Sequence, residues 1–234
     1  RQAAASHTGS LASPLALWRG LARQTGLVLA DTLDQFLDML LAFQLLEPQR
    51  NRDNRRCVLF GNGGGTSVLA ADAFARCGLE VSRLAQPAID ALLALGLPPG
   101  TSVVNPIDAP AFTLKQDQGR VVEAILDAVY HYDAPAAVVT HLNLPVFIKS
   151  ADQRADFLAN MMAAAMRIRQ RYPGRAHFVL VLRSDGSAEC EERKRDFREL
   201  ATRNGVPTFD EMVNAADALS AVAGYERFAA LRGG

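Results

Sequence analysis

Hydrophobic and polar positions follow two alternating rhythms along most of the chain. Short apolar or β-branched runs are separated by longer segments in which apolar residues recur every three or four positions. We predict strands at 57–60, 80–84, 136–142, 177–182 and 206–209, and helices at 67–76, 87–95, 118–131, 151–172, 188–203 and 211–231. Strands that alternate with helices predict an α/β fold with a flavodoxin-like, doubly wound parallel sheet of five strands.

Two amphipathic helices, at 10–25 and 33–46, precede this pattern. The segment 47–56 reads EPQRNRDNRR and contains no apolar residue, as expected of a solvated linker. We therefore predict a helical segment at 1–46, a linker at 47–56 and a flavodoxin-like domain at 57–234. Because the chain opens RQA without an initiator Met, we expect it to be part of a larger protein.

Composition narrows the class of partner. Hydrophobic residues make up 49% of the chain and aromatic residues 7%, which favours aliphatic helix faces packed on aliphatic strands. The 25 basic and 25 acidic residues balance. Nucleic acids and anionic membranes usually bind proteins with a basic surplus, so we expect neither as a partner. Any anion site must then rest on local groups.

The sequence lacks the segments that insert a protein into a membrane or direct it to export. No apolar stretch is long enough to span a bilayer, and the N-terminus does not resemble a signal peptide. The three cysteines, Cys57, Cys77 and Cys190, are widely separated and predict neither a disulfide framework nor a zinc site. We expect a cytoplasmic protein without a metal site of its own.

The strongest local signal is a glycine-rich loop between the first predicted strand of the sheet and the helix after it. Its residues are Asn62, Gly63, Gly64, Gly65, Thr66 and Ser67. Glycines let backbone N–H groups approach an anion, and the helix N-terminus adds a partial positive charge. The loop is neither G-x-G-x-x-G nor a P-loop, since no Lys follows. It predicts a phosphate site, or alternatively a turn in which glycine only permits tight strand-to-helix packing.

A histidine near the start of the chain is the second candidate. His7 lies in the run ASHTGS, among small and hydroxyl residues before a helix. A histidine that acts as nucleophile or phosphoryl carrier needs an open loop, which such neighbours provide. The alternative is an ordinary solvated loop residue. We interpret the other three histidines as packed or solvated side chains.

The third candidate is the run Asn105-Pro106-Ile107-Asp108. Asn-Pro starts turns, and an Asp carboxylate can accept hydrogen bonds from backbone amides. Asn105 and Asp108 are therefore either parts of a structural turn or supports of the ligand-binding loop.

Taken together and in order, these motifs resemble those of the NDP-forming acyl-CoA synthetases, the superfamily of succinyl-CoA synthetase. The matching segments are AAASHTGSLA at 3–12, TLDQF at 32–36, NGGG at 62–65, LAADA at 69–73, NPID at 105–108 and GVPTF at 205–209. The resemblance implies that His7 is the phosphohistidine on the remnant of a preceding ligase domain. It also implies that 62–67 stabilises the phosphoryl group and that 57–234 is a ligase domain.

In that family a carboxylate becomes an acyl phosphate, CoA displaces the phosphate, and a histidine carries the phosphoryl group to the nucleotide site. The resemblance thus implies CoA and ATP or GTP with Mg²⁺ as cofactors, and a small carboxylate as substrate. The CoA-binding and ATP-grasp domains or subunits have no counterpart here, so we expect them as partners and expect this piece to retain no cofactor and to be inactive alone. Homo- and hetero-oligomers stay open. The alternative is a non-catalytic module of ligase fold that senses acyl-CoA or binds a partner subunit.

Overall fold

The computed structural model describes residues 14–49, 55–148 and 157–232. The helices are α1 Leu15–Thr25, α2 Leu33–Leu45, α3 Gly64–Arg76, α4 Gln86–Ala94, α5 Ala111–Lys115, α6 Arg120–Tyr132, α7 Leu144–Ile148, α8 Phe157–Arg171, α9 Ala188–Arg203 and α10 Met212–Arg232. The strands are β1 Cys57–Gly61, β2 Ile107–Asp108, β3 Ala137–Asn143, β4 His177–Arg183 and β5 Thr208–Phe209. Among the described helices, none combines the length and apolar character that crossing a bilayer requires.

The strands form one parallel sheet of five in the order β2-β1-β3-β4-β5. This is the flavodoxin-like strand order, so the predicted fold class is confirmed. The three central strands, β1, β3 and β4, are buried along almost their whole length. Their nearly continuous apolar runs reflect burial on both faces, which parallel sheets require.

Each face of the sheet packs against its own set of helices. Alternate strand residues such as Val58, Val138 and Leu180 face α4, α6, α8 and α9. The residues between them, such as Leu59 and Val139, face α2, α3 and α10. The sheet is therefore the middle layer of three, and all its carboxyl ends open at one edge.

The second strand lies elsewhere than we predicted. Residues 80–84 form only an isolated bridge, between Glu80 and Arg56, and the edge strand next to β1 is β2. The Asn105 side chain explains the difference. Its Oδ1 accepts from the Leu59 N–H (2.9 Å), and its Nδ2 donates to the carbonyls of Cys57 (2.7 Å) and Ser82 (2.9 Å). A side-chain amide thus takes the backbone groups that a strand at 80–84 would need.

Helix α2 packs against α10, which in turn covers one face of the sheet. Ala42 and Leu46 are buried in the same cluster as Leu219 of α10. Just beyond α2, the Gln49 N–H donates to Glu226 Oε1 of α10 at 2.7 Å. The division into 1–46, 47–56 and 57–234 stays a prediction, but α2 contributes apolar side chains to this core.

Candidate functional site

The predicted phosphate loop lies at the carboxyl end of β1. Gly63 has φ +120°, a conformation that strains residues with a side chain, and α3 begins at the next residue. Gly63, Gly64 and Gly65 are exposed, whereas Thr66 and Ser67 are half-buried. The loop therefore presents bare backbone to solvent at the N-terminus of a helix of 13 residues.

Two backbone amides of this loop are free to bind a ligand. The Gly63 N–H donates to Asp108 Oδ1 at 2.8 Å, and the N–H groups of Thr66 and Ser67 donate to the Gly63 carbonyl at 3.0 and 3.1 Å. Among the described residues, no acceptor hydrogen-bonds the amides of Gly64 and Gly65. These two donors lie at the positive end of the α3 dipole, where an anion is stabilised.

Two side chains, one in the loop and one on a neighbouring strand, hold the loop in this shape. Asn62 is buried, and its Oδ1 accepts from the Asn143 N–H at the end of β3 (3.0 Å). Asp108, at the end of β2, accepts from Gly63, and a Cβ added at Gly64 would lie 3.1 Å from its Oδ2. Asn105 lies below the loop and fixes β1 rather than the glycines. The structure thus brings together Asn62, the glycines and Asp108.

His141 is the residue that our sequence reasoning missed. It lies on β3 opposite Gly61 in the parallel register and is 4% exposed. Within the described part of the chain, no group hydrogen-bonds its Nε2. Burial, reinforced by the Arg183 charge and opposed by Asp108, lowers the pKa of His141 to about 4. The imidazole is therefore neutral at neutral pH.

Gly61 and Gly63 leave room for His141 because they have no side chains. A Cβ at Gly61 would lie 2.1 Å from the His141 carbonyl oxygen and 3.1 Å from its Nδ1, and one at Gly63 would lie 3.8 Å from its Cε1. With Thr66 and Ser67, the imidazole lines a cavity of about 10 Å³ beneath the first turn of α3. The signal was available in the sequence, because a histidine at the carboxyl end of a parallel strand lies where such folds bind ligands.

The other histidines do not join this site. His7 lies outside the described residues. His131 contacts Tyr172 at the end of α6. His177 begins β4, at the opposite end of the sheet, where its Nε2 lies 2.7 Å from Glu226 Oε1.

Two larger clefts lie apart from the loop, with volumes of about 600 and 510 Å³. The first surrounds His177 and Tyr172, and the second lies between Asp38 and Arg198 beyond β5. Within the described ranges, no group of three His, Cys, Asp or Glu side chains could hold a metal ion. The glycine loop lies outside both clefts and presents its backbone amides on the open surface.

Comparison with known proteins gives consistent matches. Residues 1–43 match the family model described as the succinyl-CoA ligase like flavodoxin domain. In Pyrococcus furiosus, the alpha subunit of ADP-forming acetate–CoA ligase II is 28% identical over 94% of this chain and 44% of its own length. The alpha subunit of ligase I is 30% identical over 98% of this chain and 45% of its own length. This chain thus spans less than half of these relatives.

Solved structures show the same fold. The dinucleotide-forming acetyl-coenzyme A synthetase 1 of Ca. Korarchaeum cryptofilum, in complex with phosphate and ADP, matches with a TM-score of 0.76 at 20% identity, over 99% of this chain and 46% of that one. PH0766 from Pyrococcus horikoshii OT3 matches with a TM-score of 0.73 at 21% identity, over 93% and 45%. The order of motifs and these sequence matches make the chain similar to the NDP-forming acyl-CoA synthetases, and in particular to the alpha subunits of ADP-forming acetate–CoA ligases, while the solved structures show a shared fold.

Proposed function

We propose that this chain is the phosphoryl-transfer part of an NDP-forming acid:CoA ligase. The enzyme would interconvert a carboxylate, CoA and NTP with acyl-CoA, NDP and phosphate. His7 would carry the phosphoryl group, and the loop from Asn62 to Ser67 would bind it. The similarity to the alpha subunits of ADP-forming acetate–CoA ligases supports this proposal.

The observation that carries the proposal is the pair of unpartnered amides at Gly64 and Gly65. They lie at the N-terminus of a helix of 13 residues and at the carboxyl edge of a parallel sheet. An anion at such a terminus gains about 0.3–1 kcal/mol from the helix dipole, and more where it is partly buried. Fixed donors also need no reorganisation when charge develops during phosphoryl transfer.

Asp108 and Asn62 prepare the loop for this task. Their hydrogen bonds take the Gly63 N–H and fasten the strand-to-helix turn to β3. The amides of Gly64 and Gly65 are then left pointing out of the helix terminus rather than closing on the protein. The loop is thus ordered before a ligand binds, which lowers the entropic cost of binding.

The glycine loop suits a phosphoryl group better than a whole nucleotide. The loop has no P-loop Lys. The metal that a nucleotide brings also lacks a cluster of acidic ligands in the described part of the chain. We therefore assign CoA, the nucleotide and Mg²⁺ to other domains or subunits of the complete enzyme.

The carrier role of His7 is tested by labelling the complete enzyme with nucleotide that is radioactive in its γ-phosphate. A phosphoryl group on an imidazole nitrogen is labile in acid and stable in base. We expect such label in the unchanged protein and in His131→Ala, an exposed histidine that serves as the matched control, and its loss in His7→Ala.

Equal labelling of His7→Ala and the unchanged protein would refute the carrier role. An unchanged enzyme that takes no label and forms no acyl-CoA would favour the alternative, a non-catalytic module of the ligase fold.

A further inference from the structure

The imidazole beneath the glycine loop is a polar group that the proposed function has not yet used. His141 follows Ala137 and Val139 in the alternation of β3, and both of those face the core against α3 and α10. Its side chain therefore lies on the same face of the sheet, under the first turn of α3. The small cavity that it lines with Thr66 and Ser67 agrees with this placement.

The burial of His141 calls for a physical explanation. Its Nε2 is buried, and no described residue hydrogen-bonds it. An unpaired polar nitrogen in a core is unfavourable, so native proteins keep few of them. An apolar residue would fill this position at the end of β3 at lower cost. A histidine here adds one property that an apolar residue lacks, which is the capacity to take up a proton.

The charged groups around the imidazole are few. Arg183, at the end of β4, disfavours the imidazolium, and Asp108, beyond β1 on the other side, favours it. Glu211, at the start of the segment that leads into α10, lies 4.0 Å from Arg183 and partly offsets that charge. The positive N-terminus of α3 also opposes protonation. The loop without an anion therefore holds His141 neutral.

An anion on the loop would reverse this balance. His141 Cε1 lies 3.8 Å from the position of a Cβ on Gly63, and Gly63 directly precedes the two free amides. A phosphoryl group bound to the amides of Gly64 and Gly65 would therefore lie only about one residue beyond the part of the loop that the imidazole contacts. A dianion at that range favours the protonated form of a neighbouring histidine, the more so because the imidazole is buried.

We propose that His141 is a positioning residue of the phosphoryl site, which takes a proton from solvent when a dianionic phosphoryl group binds at Gly64 and Gly65 and releases it when that group leaves. No other bond forms or breaks in this step, and the imidazolium offsets one of the two negative charges. The inference rests on the proposed function, because it requires the glycine loop to bind phosphoryl groups.

Sulfate is the probe that separates the protein's titration from that of the ligand, since it stays a dianion across the useful pH range. NMR of the four histidines of the 234-residue chain would follow each imidazole with and without sulfate. We expect the pKa of His141 to rise by about one unit or more when sulfate binds. His131 and His177 are internal controls, because neither lies at the glycine loop, and sulfate should leave their NMR signals unchanged.

Sulfate affinity provides a second readout. By linkage, a rise of one unit from a pKa near 4 gives about a twofold gain in affinity between pH 7 and pH 5, and a rise of two units gives about tenfold. His141→Gln keeps a polar side chain of similar size but cannot titrate. We expect this variant to bind sulfate with a smaller pH dependence than the unchanged chain.

The possible outcomes test the role of His141 separately from the proposed phosphoryl site. If sulfate binds but the His141 pKa does not move, or if His141→Gln keeps the full pH dependence, the inference is wrong and the anion site stands. If neither sulfate nor phosphate binds at any pH, the anion site itself is wrong. The NMR titration uses the unchanged chain, so it remains decisive even if His141→Gln folds poorly.

Discussion

Gly61 shows how a single residue sets the geometry of the site. The last residue of β1 lies opposite His141 in the register, and a Cβ there would lie 2.1 Å from the His141 carbonyl oxygen. Backbone cannot rotate away as a flexible side chain can. Any side chain at this position must therefore push β1 and β3 apart next to the glycine loop.

We predict that Gly61→Ala lowers the free energy of unfolding by about 2–4 kcal/mol, as expected for overpacking in a buried sheet. Gly65→Ala is the matched control, because a Cβ there meets nothing within 4 Å. Alanine is also the better helix former, so the control should keep the stability or raise it by up to about 1 kcal/mol. Urea denaturation measures both variants, and equal stability in the two would contradict the close approach of the strands.

At this scale the sequence revealed the glycines but not their neighbours. Three consecutive glycines after an apolar run are visible as a string, so the loop could be predicted. The contact between Gly63 and Asp108 joins residues that are 45 positions apart, and nothing local encodes it. We overlooked His141 because it continues the alternation of a buried strand, and a histidine in such a strand is usually interpreted as a packed core residue.

Elements are joined at the other end of the sheet by the buried carboxylate of Asp133. It forms a bidentate pair with Arg56 at 2.5 and 2.8 Å and accepts the N–H groups of Ala85 (2.9 Å) and Ala134 (2.8 Å). Ala85 caps α4, and Asp133 itself ends α6. One carboxylate thus ties the residue before β1 to two helix ends.

The contribution of the Asp133 carboxylate to stability can be tested by lowering the pH. Burial alone would raise the pKa of Asp133, but the hydrogen bonds from Arg56, Ala85 and Ala134 outweigh it and hold the pKa below its ordinary value. A lowered pKa contributes stability above the unfolded value near 4, and that contribution is lost as the pH falls through the folded value.

We predict that Asp133→Asn lowers the free energy of unfolding at pH 7 by about 2–4 kcal/mol, since Arg56 loses its ionic partner and the amides lose a strong acceptor. The deficit should stay constant down to about pH 5 and shrink below about pH 4. Asp127→Asn breaks an exposed pair with Arg171 and should cost less than about 1 kcal/mol. Denaturation curves at several pH values decide the matter, and a deficit independent of pH down to pH 2 would count against this assignment.

The long elements were predictable and most of the short ones were not; the two-residue strand β5 is the exception, since it lies within the strand predicted at 206–209. Helices such as α9 and α10 repeat their apolar positions over several turns, and their predicted bounds lie within a residue of the observed ones. Strand β2 has two residues, too few for any periodicity. Its place depends on the Asn105 amide, which joins three segments of the chain. Helices α5 and α7, of five residues each, were missed for the same reason.

At the scale of the whole molecule, the net charge of zero has to be reconciled with the anion site that we propose. Equal numbers of basic and acidic residues leave the chain without net positive charge. Backbone amides and a helix end provide local positive potential without changing that count. A neutral composition is therefore compatible with the phosphoryl site that we propose.

The first two helices expose large apolar side chains, as the partner domains or subunits that we propose would require. Helix α1 buries none of its residues, and it exposes Leu15, Leu17, Trp18 and Leu21. Helix α2 likewise exposes Phe36 and other large apolar side chains. These helices lie in or next to the stretch that matches the succinyl-CoA ligase like flavodoxin domain. Contiguous apolar surface of this kind is typical of an interaction face.

We predict that the isolated 234-residue chain forms no acyl-CoA from acetate, CoA and ATP with Mg²⁺. We propose that the glycine loop binds a phosphoryl group and that the step that uses NTP takes place in other domains, since the described residues hold no cluster of ligands for a metal ion. The assay measures thioester formation. Its matched control is the complete enzyme under the same conditions, in which we expect activity that Gly63→Val greatly reduces, because φ +120° and an added side chain are incompatible. Acyl-CoA made by the isolated chain would show that the sites we assign to other domains lie within these residues.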